Sequence, residues 1–337
     1  MVNAVILGTG YYVPSGRVTN AAFEGQTLYE HDDQGNRTGK CVVTSDAWIV
    51  PRSGIKERRC AAKGEEPCDM GTRAVRRALR NAGLTAESLE GIIVATVTDQ
   101  QQFPNCAQKI QHRLGVKNIC YTLDINNACQ GGPSALEAAT LRIMQRDLLT
   151  KKSTGIYAVV GTEKLTSMLD ENDPDTNDIL FGDGAGAFIV CPIEDSSRGI
   201  MATYAESIPD GENIGLILRD PRRLMRMTNG RKVFRVAVPE LLNAYEALMA
   251  KTGWKKEDIL LIPHQANDVI SENARESLGL EKNQVVNTIR RYGNTSAAST
   301  FISYAAAQRR GLIRPGKKVI IVAFGASMGV SGVALVA

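Results

Sequence analysis

No uninterrupted apolar run in the 337-residue sequence approaches the roughly 18 residues of a membrane span, so a transmembrane helix is not expected. The first residues, Met1 to Gly8, carry neither a basic stretch nor a small-residue cleavage pattern, which argues against a secretory leader. Seven cysteines are present without CxxC or Cys/His metal spacing, a pattern that predicts reduced thiols in a cytoplasmic protein rather than zinc or a disulfide framework. Histidine is scarce: His31, His112 and His264 are the whole set. No low-complexity tract or Pro/Gly/Ser linker divides the chain. What is present, 43% hydrophobic and 23% charged residues, is the balance of a globular protein able to bury a substantial core.

The net charge of +4 is mild, but Arg219, Arg222, Arg223, Arg226, Arg231, Lys232 and Arg235 lie close together. They read either as a solvated basic surface or as a site for a phosphate-bearing or acidic partner. No aromatic residues for base stacking and no reading helix are interleaved with them, which argues against nucleic acid.

Laying the C-terminal half over the N-terminal half shows three blocks recurring in one order. A helix-like run, Met70 to Ala82, leads into Gly83 and the strand-like Gly91-Ile-Ile-Val-Ala; its counterpart runs from Pro239 to Thr252, Gly253, and Ile259-Leu-Leu-Ile-Pro-His264. Leu114-Gly115 precedes Cys129 and a small-residue helix, as Leu278-Gly279 precedes Asn294 and another. Ile156 to Gly161 matches Val319 to Gly325. Near-continuous Val/Ile strands separated by helices belong in sheets covered on both faces. The pattern predicts an α/β protein of five layers, α/β/α/β/α, from two pseudo-symmetric halves, 1–175 and 176–337, folding as one unit. The loops bearing Cys129, His264, Asn294 and Gly325 are then expected to converge at equivalent strand ends. Residues 24–43 interrupt the repeat as a polar insertion, read as a surface loop or hairpin that could cover a site entrance.

Cys129 sits between a strand and a helix whose first face is almost all small residues. A helix N-terminus favours thiolate, the nucleophilic form, and the Cys129 amide could face a developing oxyanion. Read alone, such a cysteine is more often a buried small hydrophobe. His264 follows an apolar strand directly, where a side chain leaves the sheet's end, whereas His31 lies in the charged insertion and His112 on a helical surface. A strand-end histidine can be structural, yet its register matches that of the candidate nucleophile. Asn294 holds the repeat position of Cys129; its amide could donate to a carbonyl or cap the following helix. Gly182-Asp-Gly-Ala-Gly-Ala187 fits GxGxxA, but a strand-like Phe188-Ile-Val-Cys follows instead of a helix, so it reads as a tight turn or bulge and not a dinucleotide site.

These residues resemble the β-ketoacyl-acyl-carrier-protein synthase III group of thiolase-fold enzymes over nearly the whole chain. The similarity is carried by Thr44 to Arg58, the Cys129 segment, Phe181-Gly-Asp-Gly-Ala-Gly, Val233-Phe-Arg-Val-Ala-Val, Pro263-His-Gln-Ala-Asn and Gly293-Asn-Thr-Ser-Ala-Ala-Ser. The resemblance implies a condensing acyltransferase in which Cys129 takes an acyl group from acyl-CoA and a malonyl group on acyl carrier protein then decarboxylates and attacks it. It implies that His264 and Asn294 stabilise the enolate, and that the amides of Cys129 and Ala326 form the oxyanion hole. By the same resemblance Trp48 and Arg52 sandwich the adenine of coenzyme A, Thr44, Gly230 and Asn267 contact the rest, and Arg235 joins the substrate contacts. A homodimer is implied, with the Phe103 region reaching toward the partner's acyl pocket. No tightly bound cofactor or metal is implied; the coenzyme A thioester is a substrate.

Histidine content supports this branch, because thiolases and elongating synthases use a second catalytic histidine and the C-terminal half has His264 alone. Val269 and Ser167 stand where the family has arginines, and Gln130-Gly-Gly-Pro, the loop Phe324 to Gly332 and the insertion 24–43 depart from its pattern. Two rivals remain open: an acyltransferase passing the acyl group to an alcohol, amine or second acyl chain, and a non-catalytic subunit that binds acyl or carrier groups.

Overall fold

The computed structural model describes all residues except 1, 33–35, 100, 102, 119, 149–153, 209–216, 220–224, 228–229 and 327. The first part of the chain contains β1 (Asn3–Tyr12), β2 (Gly16–Thr19), β3 (Thr27–His31), β4 (Arg37–Val43), α1 (Asp46–Ser53), β5 (Glu57–Cys60) and α2 (Pro67–Ala82). Next come β6 (Gly91–Ala95), α3 (Cys106–Leu114), β7 (Tyr121–Ile125), α4 (Gly131–Met144), β8 (Tyr157–Lys164), β9 (Asp183–Ile193) and β10 (Gly199–Ser207). The chain continues through β11 (Ile217–Arg219), β12 (Met225–Met227), α5 (Gly230–Thr252), β13 (Ile259–Pro263) and α6 (Asp268–Ser277). It ends with α7 (Ile289–Tyr292), α8 (Ser299–Arg309), β14 (Lys318–Gly325) and β15 (Gly329–Val336).

Two mixed sheets carry the fold, one ordered β1-β9-β8-β6-β7 and the other β10-β15-β14-β13. Period-two alternation sends successive side chains of one strand to opposite faces. In β6, Ile92 and Val94 meet α2 and α3, while Ile93 and Ala95 meet the central helices α4 and α8. Strand β13 repeats this, with Ile259 and Leu261 toward α5 and α6 and Leu260 and Ile262 toward the centre. The result is the expected stack of helices, sheet, helices, sheet, helices. Strand β9, beyond the expected boundary at 175/176, pairs with β1 and β8, so sheet membership changes between Ile193 and Gly199.

The GxGxxA segment is the start of β9 and not a turn. A Cβ on Gly186 would stand 2.5 Å from Phe301 Cβ, so its glycine lets α8 lie flat on the sheet. The insertion is a hairpin, β3 against β4, as expected. His31 is not on a solvated loop, however. It is 1% exposed, with its ring nitrogens 3.1 Å from an Asp175 carboxylate oxygen and 3.0 Å from one of Asp173. Two carboxylates from a distant segment thus draw the histidine inward, which local polarity does not reveal. His112 is exposed on α3, as expected. Of the basic cluster at 219–235, Arg235 alone has a described side chain; the others, like the surroundings of Gly230 at the start of α5, lie outside the described side chains. No helix among the described residues is long and apolar enough to cross a membrane.

Candidate active site

Cys129 lies in a single 3-10 turn, Ala128–Gln130, between β7 and α4. Asn294 and Ser296 lie at the matching turn before α8, and each turn contains a residue with positive φ, 46° at both Ala128 and Ser296. Such backbone is uncommon for residues with a Cβ and is held by the packing around it. Glycine at 161 permits the approach of the second turn, since a Cβ there would fall 2.5 Å from the Ala297 carbonyl oxygen.

Cys129, His264 and Asn294 all line one cavity of about 1300 Å³. Cys129 retains partial accessibility through this cavity, yet its sulfur is deep in the protein, and burial pushes the thiol up to about 11. Hydrogen-bonding contacts from the Ser296 side chain and the amides of Ala326 and Cys129 act in the opposite sense. The helix-favoured thiolate expected from sequence is therefore outweighed by desolvation in the resting protein. The same contacts bring the amides expected of an oxyanion hole to the sulfur.

His264 is 3% exposed, and its backbone N–H donates to the Val322 carbonyl at 2.8 Å. Its Nδ1 is 2.6 Å from Ser299 Oγ, which also accepts from the Gln265 amide at 3.4 Å. The network is satisfied when the Ser299 hydroxyl donates to Nδ1, which assigns the ring proton to Nε2. Burial holds the imidazole down to about 3, so it is a neutral donor and not a cation at physiological pH. Asn294 is similarly buried; its Oδ1 accepts the Ser296 amide at 2.8 Å, and its Nδ2 has no hydrogen-bond partner among the described residues. Capping and donation are thus compatible roles for one side chain.

The outer cavity is less uniform. Trp48, Arg52, Asn267 and Arg235 line it, joined by Lys40, Cys41 and Val42 from the hairpin. Arg52 stacks directly over Trp48, 4.8 Å from the ring centroid, leaving no open slot for a planar base between them. Asn267 caps α6 through the Val269 amide and donates to the Arg52 carbonyl at 2.9 Å, tying α6 to α1. Thr44 does not line the cavity: it is 1% exposed and gives its hydroxyl to the carbonyls of Phe23 and Gln26 at the hairpin base. Phe103 is also outside the cavity, 83% exposed on the surface.

Sequence reasoning passed over Glu163, at the end of β8. It is fully buried, accepts from Thr98 Oγ1 at 2.7 Å, Thr96 Oγ1 at 3.3 Å and the Val97 amide at 3.1 Å, and touches Ser296. Burial raises its carboxyl to about 7. The available signal was a carboxylate closing the Val/Ile strand whose repeat counterpart ends at Gly325. Among the described residues no group of three metal-ligating side chains occurs.

Residues 123–209 match the 3-oxoacyl-[acyl-carrier-protein (ACP)] synthase III family, and residues 249–336 match its C-terminal region. A β-ketoacyl-[acyl-carrier-protein] synthase III of Listeria monocytogenes is 38% identical over 331 residues, covering 97% of this chain and 96% of the relative. The crystal structure of 3-oxoacyl-[acyl-carrier-protein] synthase III from Aquifex aeolicus superposes with a TM-score of 0.87 at 37% identity, covering 99% of this chain and 100% of that one. The synthase III from Thermus thermophilus superposes with a TM-score of 0.85 at 34% identity, over 99% of each chain. With its thiolase-like fold and this similarity over nearly its full length, the chain belongs to the 3-oxoacyl-acyl-carrier-protein synthase III family of condensing acyltransferases.

Proposed function

We propose that the protein starts fatty-acid synthesis by loading an acyl group from acyl-CoA onto Cys129 and condensing it with malonyl-acyl carrier protein. The observation that carries the residue assignment is the shared cavity wall on which a buried cysteine faces a neutral histidine and an asparagine amide. The Cys129 sulfur attacks the thioester carbonyl, whose oxygen takes up charge against the amides of Cys129 and Ala326, and coenzyme A leaves as its thiolate. Malonyl thioester then enters. Its carboxylate leaves as CO2, and the electron pair moves onto the thioester oxygen as an enolate. His264 Nε2–H and Asn294 Nδ2–H supply two neutral donors for that oxygen. The enolate carbon attacks the acyl carbonyl, a C–C bond forms, and the Cys129 sulfur departs. Two fixed neutral donors favour condensation over simple acyl transfer, which needs mainly a base.

Trp48, Arg52, Asn267 and Arg235 at the cavity mouth are our candidates for coenzyme A contacts, with Arg52 turning off the Trp48 ring to admit the base. Coenzyme A is then a substrate, and no tightly bound cofactor is needed. We also propose a cytoplasmic homodimer. No disulfide joins the cysteines among the described residues, consistent with a reducing compartment. Strand β7 is a sheet edge, and Leu141, Met144 and Leu148 are exposed nearby in sequence, a pairing of open edge and apolar surface that a second copy would cover.

The test is the intact mass of wild type and Cys129→Ala after incubation with a panel of acyl-CoAs, followed by malonyl-loaded carrier protein. One acyl group on wild type alone, discharged with CO2 release, is expected. Acylation that malonyl carrier protein neither discharges nor decarboxylates against would replace condensation with acyl transfer to another acceptor.

A further inference from the structure

The chemistry above needs a thiolate, and the immediate surroundings of Cys129 do not hold one. His264 is a poor candidate to take the thiol proton, because its Nδ1 faces Ser299 and burial keeps the ring neutral down to about 3. The Ser296 hydroxyl, 3% exposed, touches the Cys129 thiol on one side and the Glu163 carboxyl on the other. Every group around that carboxyl is a donor: the Val97 amide and the hydroxyls of Thr96, Thr98 and Ser296.

We propose that Glu163 and Ser296 form a proton relay that activates Cys129 for attack on the acyl donor. The inference rests on the assignment of Cys129 as nucleophile. For the relay to run, the thiol must donate to Ser296 Oγ and the Ser296 hydroxyl to the Glu163 carboxylate. On activation the S–H proton passes to Ser296 Oγ while the Ser296 proton passes to Glu163. The serine ends neutral with its hydroxyl turned to sulfur, the carboxyl ends protonated, and total charge is unchanged. The thiolate then forms the new C–S bond as the C–S bond to coenzyme A breaks; the departing thiolate takes up one proton, and Glu163 loses its own before the next cycle. Glu163 acts through Ser296 and is a positioning and relay residue. Its carboxyl, raised to about 7 by burial, can both receive and release a proton near neutral pH.

The titratable groups on adjoining elements are few. Cys129 faces the relay from the turn before α4; Lys164, next along β8, points to Glu66 4.0 Å away; Asp183, opposite Lys164 on β9, is engaged by the amides of Ala61 and Thr166; His264 lies across the cavity. The relay therefore predicts a pH profile governed by Glu163.

The test is alkylation of Cys129 by iodoacetamide from about pH 5 to about pH 10, read by peptide mass on wild type, Glu163→Gln, Glu163→Asp and Ser296→Ala, with single-turnover acylation by acetyl-CoA beside it. Wild-type alkylation should rise to a shoulder through about pH 7. In Glu163→Gln and Ser296→Ala the shoulder should vanish and the rate at neutral pH should fall about a hundredfold; Glu163→Asp should restore part of both. Ser296→Ala leaves the buried carboxyl in place, so it decides the matter should Glu163→Gln fail to fold. A profile unchanged in Ser296→Ala, or in a folded Glu163→Gln, overturns the relay. Alkylation requires no acyl donor: a relay signature in protein that no acyl-CoA can acylate would sustain the relay and remove the acyl-CoA reading.

Discussion

Replacing His264 with glutamine should flatten the acid side of the stability curve. Burial takes the folded-state imidazole from its ordinary 6.5 down to about 3, and the ring is 3% exposed, so solvent screening removes little of the effect. In the unfolded chain the ring takes a proton below about pH 6.5. Because the folded value is the depressed one, this contribution is complete above 6.5 and drains away as the pH falls toward 3. Each unit is worth about 1.4 kcal/mol, so about 2 kcal/mol is lost by about pH 5 and about 4 kcal/mol by about pH 3. Glu163 works the other way. Its folded value is raised from 4.5 to about 7, so its contribution is complete below 4.5 and lost as the pH rises through 7. Comparing His264→Gln with wild type cancels the Glu163 term. Urea unfolding at about pH 8 and about pH 5, at one fixed protein concentration, should show the stability difference between the two proteins shift by about 2 kcal/mol against wild type in acid. A difference that stays constant between the two pH values would refute the neutral, buried imidazole and with it the donor role assigned to Nε2.

Further expectations concern the same site and its support. Ser299→Ala leaves His264 Nδ1 without its 2.6 Å partner; malonyl decarboxylation, followed as CO2 release, should slow about tenfold with acyl loading nearly unchanged, and Ser299→Thr should recover it. Trp48→Ala should raise KM for acyl-CoA about tenfold in steady-state kinetics with little change in kcat, as expected for a contact outside the reacting atoms. Gly186→Val places a side chain where even a Cβ meets Phe301 Cβ at 2.5 Å, and the urea midpoint should report a loss of about 3 kcal/mol.

The sequence by itself determined the layers and marked out the candidate residues. Burial on both faces demands near-continuous Val/Ile strands, and a duplicated β-α order repeats its loop positions, so the repeat register singled out Cys129, His264 and Asn294 from local composition and order. Side-chain surroundings were decided only by the tertiary structure. Polar neighbours placed His31 in a surface loop, yet Asp173 and Asp175, remote in sequence, enclose it. Thr44, expected at coenzyme A, instead ties the hairpin base, and Arg52 and Trp48 stack on each other. The protonation states were equally hidden. A helix N-terminus beside Cys129 is legible in the chain, whereas the desolvation that outweighs it, and the Glu163 carboxyl reaching it through Ser296, depend on the turn after Asn294 packing closely on β8 at Gly161. Periodicity records which face of an element is buried; the identity of the groups that meet there is set by contacts between segments far apart in sequence.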